Sequence, residues 1–162
     1  VSHHLKQGSY SANKSLIITR YHADGPLVLL HSFIPPTDGA ININTLQKSY
    51  ATQNNNMRND IRFINRILLE QPVNRARVTA YNDIAYYLER DGHYESAAYL
   101  LEKIIEIFPN RTVAYINLGD AYWGLDKQEK ASTAYQHYIR LMHESNREQR
   151  IPQRVFERIN ER

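Results

Sequence analysis

The chain has 162 residues, 42% apolar and 23% charged, with a formal net charge of +3 and a sequence pI near 9.1. That composition suits a globular protein of one or two domains with a real core. The absence of cysteine excludes structural disulfides, thiolate metal sites and a Cys–His nucleophile, and no apolar run approaches the ~20 residues that span a bilayer. The lack of cysteine fits the cytosol best, and many bacterial periplasmic proteins share it, so the compartment stays open between the two. Because the chain opens on Val1 rather than Met, removal of an upstream segment, a tag or a larger N-terminal portion is expected.

Residues 15–22 (SLIITRYH) and 27–34 (LVLLHSFI) are short β-branched and aliphatic runs. Ala23-Asp24-Gly25-Pro26 between them is a strong turn signal, so a β-hairpin is expected over 15–34. Leu27 to Leu30 is apolar without alternation, so that strand needs cover on both faces. An isolated hairpin is marginal in water; cover must come from the helices, a missing sheet or a second chain. Residues 35–39 (PPTDG) read as a loop, and residues 51–56 (ATQNNN) as a polar loop or a helix start.

From Met57 a helical stripe begins, with Ile61, Ile64 and Leu68 at three- or four-residue intervals and an end near Gln71-Pro72. It reads as the second helix of a degenerate early repeat or as a cap on the first helix pair. Leu46 and Tyr50 are candidates for its partner helix. From residue 77 the pattern repeats with a period of 34: Tyr81 recurs as Tyr115, Ile84 as Leu118, Ala85 as Gly119, Leu88 as Tyr122, Ala97 as Ala131 and Leu101 as Tyr135. Ala97 and Ala131 fit where two helices cross at about 8–10 Å and leave no room for bulk. Gly119 sits mid-helix at a cost of about 1 kcal/mol relative to Ala, which a close approach by the partner helix would explain. Asp91-Gly92 supplies the turn between helices and Pro109-Asn110 ends the second one. Helices are thus expected near 77–90, 94–108, 112–125 and 128–144, flanked by others near 56–70 and 150–160. The last carries Val155, Phe156 and Ile159 on one face, as a terminal capping helix requires.

These residues resemble the tetratricopeptide repeat. Tyr81, Ile84-Ala85, Leu88, Gly92, Tyr94, Ala97 and Pro109 fall on that family's pattern. Tyr115, Leu118-Gly119, Tyr122, Ala131 and Tyr135 repeat it, with departures at Gln128 and His143. The resemblance covers about 77–145 and implies a mainly α solenoid of antiparallel helix pairs. With the small hairpin the chain is α+β overall: an N-terminal segment over 1–50 and a helical repeat domain over 51–162.

Little in the chain speaks for chemistry. Seven histidines include His3-His4 near the start, but no HExxH spacing, phosphate-binding Gly-rich loop or GxSxG elbow occurs. The twelve tyrosines fall mostly at packing offsets. No catalytic residue, cofactor or metal is expected. Arg and Lys alternate with Glu, as in Arg147-Glu148-Gln149-Arg150, which reads as a solvated helix face and not a nucleic-acid site. An acidic protein partner is the more economical meaning of the excess positive charge.

The resemblance implies that the first helix of each pair lines a concave groove. It selects Asn82, Tyr86, Glu89 and Arg90, then Val113, Ile116, Asp120 and Trp123, as partner-binding positions. The family's clamp for a terminal carboxylate needs Lys and Asn one turn apart; only Asn117 fits, so that ligand is not expected. Trp123, the sole tryptophan, is either a hot spot or buried against the cap or the N-terminal segment. Three readings follow. The chain is a protein-interaction module, a bacterial immunity or envelope accessory protein that blocks a toxin or enzyme, or an oligomerisation domain of a larger protein. Homo-oligomerisation through the hairpin belongs with the last.

Overall fold

The computed structural model describes residues 42–52 and 59–161. The hairpin expected over 15–34, the loop at 35–39 and Met57 lie outside them. The described residues form seven α-helices within a unit running from Ile41 to Arg162. These are α1 (Ile43–Ala51), α2 (Ile61–Glu70), α3 (Val78–Arg90), α4 (Tyr94–Ile107), α5 (Thr112–Gly124), α6 (Gln128–Glu144) and α7 (Gln153–Asn160), with a 3-10 turn at Glu148–Arg150. No strand occurs among the described residues. Because α1 opens the helical unit, the boundary expected after residue 50 falls inside a helix.

Four helices lie within a residue of the expected bounds at 77–90, 94–108, 112–125 and 128–144. Their ends follow from local chemistry. After α3, Gly92 takes φ +81° while His93 N–H donates to Leu88 O at 2.8 Å and Gly92 N–H to Glu89 O at 3.0 Å. That pair of bonds satisfies carbonyls the helix would otherwise leave open. One period later Asp126 occupies the same position with φ 56°, and Lys127 N–H donates to Tyr122 O at 2.9 Å. Asn146 closes α6 in the same way, at φ 52°. The helix expected from 56 begins later, at Ile61, because Asp60 caps it by accepting from Phe63 N–H at 3.0 Å.

Pairing follows the repeat: α3 packs on α4, α5 on α6, and α4 on α5. The helix carrying Leu46 and Tyr50 packs on α3 and not as the expected partner of α2; Gln47 Nε2 donates to Asp83 Oδ2 at 2.7 Å. α2 packs instead on α4, where Tyr99 OH donates to Asn65 Oδ1 and Ser96 OH to Asn59 O. Tyr99 and Asn65 are one period apart, as are His93 and Asn59, whose side chains meet at 2.6 Å. Helix α5 is apolar around almost its whole circumference because α3, α4 and α6 all pack on it.

Ala97 and Ala131 are fully buried, as helix crossings require. Gly119 is a tight point: a Cβ there would lie within 2.9 Å of three atoms of the Tyr135 ring on α6, as one at Gly124 would meet the Tyr94 ring on α4. The positions equivalent to Gly119 and Tyr135 in the preceding pair are Ala85 and Leu101, a larger residue facing a smaller one.

The two copies should therefore respond oppositely at one position. Gly119→Ala should cost about 1–3 kcal/mol by overpacking, although alanine is the better helix former. Ala85→Gly should cost about 1–2 kcal/mol, from lost helix propensity and from the void left by a buried methyl. Urea melts of both variants check this.

Candidate functional site

The face expected to be concave is carried by α3 and α5. In the register of the repeat Tyr86 corresponds to Asp120 and Glu89 to Trp123, each one period apart. Tyr86 is 41% exposed, and the Arg90 guanidinium lies 5.7 Å from its ring centroid. Tyr87 meets Tyr86 edge-on at 5.5 Å. Val113 is exposed at the start of α5.

Asn82 and Ile116 are buried, at 3% and 9% exposure, and present almost no surface. Asn82 Oδ1 finds no hydrogen-bond partner among the described residues. Of the positions expected to bind a partner, the structure leaves Tyr86, Arg90 and Val113 exposed, half-buries Glu89, Asp120 and Trp123, and buries Asn82 and Ile116.

Helix α7 completes this surface. Asp120, 12% exposed, accepts from Arg154 Nη2 at 2.9 Å, from Arg158 Nη1 at 2.5 Å and from Tyr135 OH at 2.8 Å. Arg158 Nη1 also donates to Tyr135 OH at 2.7 Å, closing the network. The Arg158 guanidinium lies 5.3 Å from the Trp123 ring centroid, so that indole is half-buried under α7. Of the expected capping face, Val155 is buried and Ile159 half-buried, whereas Phe156 is 41% exposed. Successive helical residues stand about 100° apart, and Phe156 turns out of the stripe that Val155 and Ile159 share.

Burial and the neighbouring Asp120 raise the pKa of Glu89; Arg158, Arg154 and Arg90 oppose this without reversing it. Desolvation, reinforced by Asp120, holds the Tyr135 phenol far above its ordinary value. The hydrogen bonds to Asp120 keep Arg154 still more firmly protonated. Hydropathy patterning overlooked Arg154 and Arg158. The available signal was the period itself, since Arg154 lies 34 residues beyond Asp120 and Arg158 one helical turn further.

Among the described residues no group of three His, Asp or Glu could hold a metal, and no helix is long and apolar enough to cross a membrane.

The tetratricopeptide repeat family model matches residues 113–141, which are α5 from its second residue and most of α6. The resemblance read from the sequence holds there, and the preceding pair α3–α4 reproduces the same turn and packing. No curated protein and no solved structure matches the chain. Repeats of this kind on a helical scaffold point to protein–protein interaction in general.

Two consequences can be measured. Asp120→Ala removes the acceptor shared by two arginines and should cost about 1–3 kcal/mol. Amide exchange should rise over residues 153–160 while α3 and α4 stay protected. Glu89 has a folded-state pKa above its unfolded one, so the folded state binds more protons between the two. Its carboxylate therefore opposes folding once pH rises through the folded value. Glu89→Gln should raise the urea midpoint at neutral pH and leave it unchanged below about pH 4.

Proposed function

We propose that this chain is a protein-interaction module that holds a segment of a partner protein against the α3–α5 face. The supporting observation is Tyr86, a large aromatic left 41% exposed beside Arg90. Aromatic and arginine side chains are the residues on which binding energy concentrates. Glu89, Val113 and the open edge of Trp123 continue the surface. Asp120 contributes by fixing Arg154 and Arg158, while Asn82 and Ile116 are buried and offer a partner almost no surface. Tetratricopeptide repeats are typically non-catalytic interaction modules, and the reading asks no chemistry of the chain.

A photo-crosslinking residue placed at 86 in the native host should capture a partner that the same probe at Ile107, exposed on α4, does not. Tyr86→Ala should then weaken the purified complex by more than about 1 kcal/mol without unfolding the chain. Full affinity in that variant, measured by titration calorimetry, would move the site to another surface.

A further inference from the structure

Helix α7 occupies the place of a first helix whose layer has no second one. Arg154 lies one period beyond Asp120, and Phe156 lies one period beyond Tyr122 and two beyond Leu88. Leu88 and Tyr122 are buried, with α4 and α6 packed on their helices, whereas Phe156 is exposed. No helix follows α7 among the described residues. What holds α7 is correspondingly narrow. Its eight residues fully bury one side chain, Val155, and the helix packs on α6. It reaches α5 through two arginines, on Asp120 and over Trp123. No side chain caps its first turn, and a helix of this length is marginal on its own. An element with so few buried contacts opens at lower cost than the core it rests on.

The attachment is nevertheless specific. Arg154 and Arg158 stand one turn apart, as do Val155 and Ile159 on the adjoining strip of the helix. Asp120 accepts from both guanidinium groups, and the Tyr135 hydroxyl donates to Asp120 while accepting from Arg158. The Trp123 ring underlies Arg158. A carboxylate and an aromatic face are the two surfaces that a guanidinium favours. Asp120 and Trp123 are also positions where the register of the repeat expects a partner, so α7 fills with its own side chains ground that a partner would use.

We infer that α7 is a displaceable cover on this end of the α3–α5 face, and that the socket beneath it accepts in trans a helical partner segment carrying two arginines one turn apart beside an apolar strip. The inference rests on the proposed binding face and adds a second part to it, with the chemistry of its occupant. The tethered helix competes at an effective concentration on the order of millimolar. A partner offsets that advantage by holding the open part of the face as well, where Tyr86 and Val113 are exposed.

The test uses the full chain and a fluorescein-labelled peptide of residues 151–162 (IPQRVFERINER). The peptide should bind the native chain weakly and release α7, so that amide exchange over 153–160 quickens on its addition. In Arg158→Gln the tethered helix loses a charge-assisted contact, and the same peptide should bind about tenfold tighter than to the native chain. A peptide carrying that replacement should bind the variant about tenfold more weakly than the unmodified one. Trp123 is the only tryptophan, so acrylamide quenching reports the cover directly. Quenching should rise in Arg158→Gln and fall again when the unmodified peptide fills the socket. Arg154→Gln, at a more exposed side chain, repeats the series if circular dichroism shows that Arg158→Gln loses helix beyond α7. Binding to the variant without faster exchange in the native chain makes α7 a fixed cap and overturns the displaceable cover. Equal affinity of the two peptides overturns the arginine chemistry, and binding to neither chain overturns both. None of these results involves Tyr86, so the α3–α5 reading stands or falls on its own crosslinking test.

Discussion

The missing side chain at Gly119 is the constraint on which the rest of this end of the protein depends. It lets the Tyr135 ring lie directly against α5, at a distance no Cβ would permit. That approach carries the phenol oxygen to Asp120, the very next residue. Asp120 in turn is the acceptor for Arg154 and Arg158, and through them α7 is tied across the end of the helix stack. A backbone vacancy, a ring, a carboxylate and a helix thus form one chain of dependence.

The period of 34 is a spatial translation as well as a sequence pattern. Asn59 meets His93, Asn65 meets Tyr99, and Asp120 meets Arg154, each pair one period apart on neighbouring layers. Each layer also buries a first-helix tyrosine whose hydroxyl donates to the carbonyl of the loop before it, Tyr81 to Gln71 and Tyr115 to Pro109. Stacked units of this sort bury together a face that none could bury alone. The left-handed residues Gly92 and Asp126 show the same backbone solution reached with two side chains, asparagine or aspartate being tolerated there where most residues are not.

Two carboxylates on neighbouring layers have opposite situations. Asp120 collects three donors and serves the architecture. Glu89 is partly desolvated and has no hydrogen bond among the described residues, so its charge is the less comfortable of the two. Groups left in that condition on an accessible face suit recognition better than stability, because a binding partner can change their environment.

The helix pairs from 77 to 145, their turns and their crossing alanines were legible in the sequence, since a recurring pattern of large and small residues reports local packing that each copy must repeat. What the tertiary structure alone decided was exposure and partnership. Asn82 and Ile116 share the register of the binding positions, yet neighbouring helices bury them. Trp123 is half covered because α7 brings Arg158 over it, and α1 packs on α3 where a partner for α2 was expected. Periodicity states which side of a helix a residue occupies; only the packed neighbours determine how much of that side remains open and which charges meet across it.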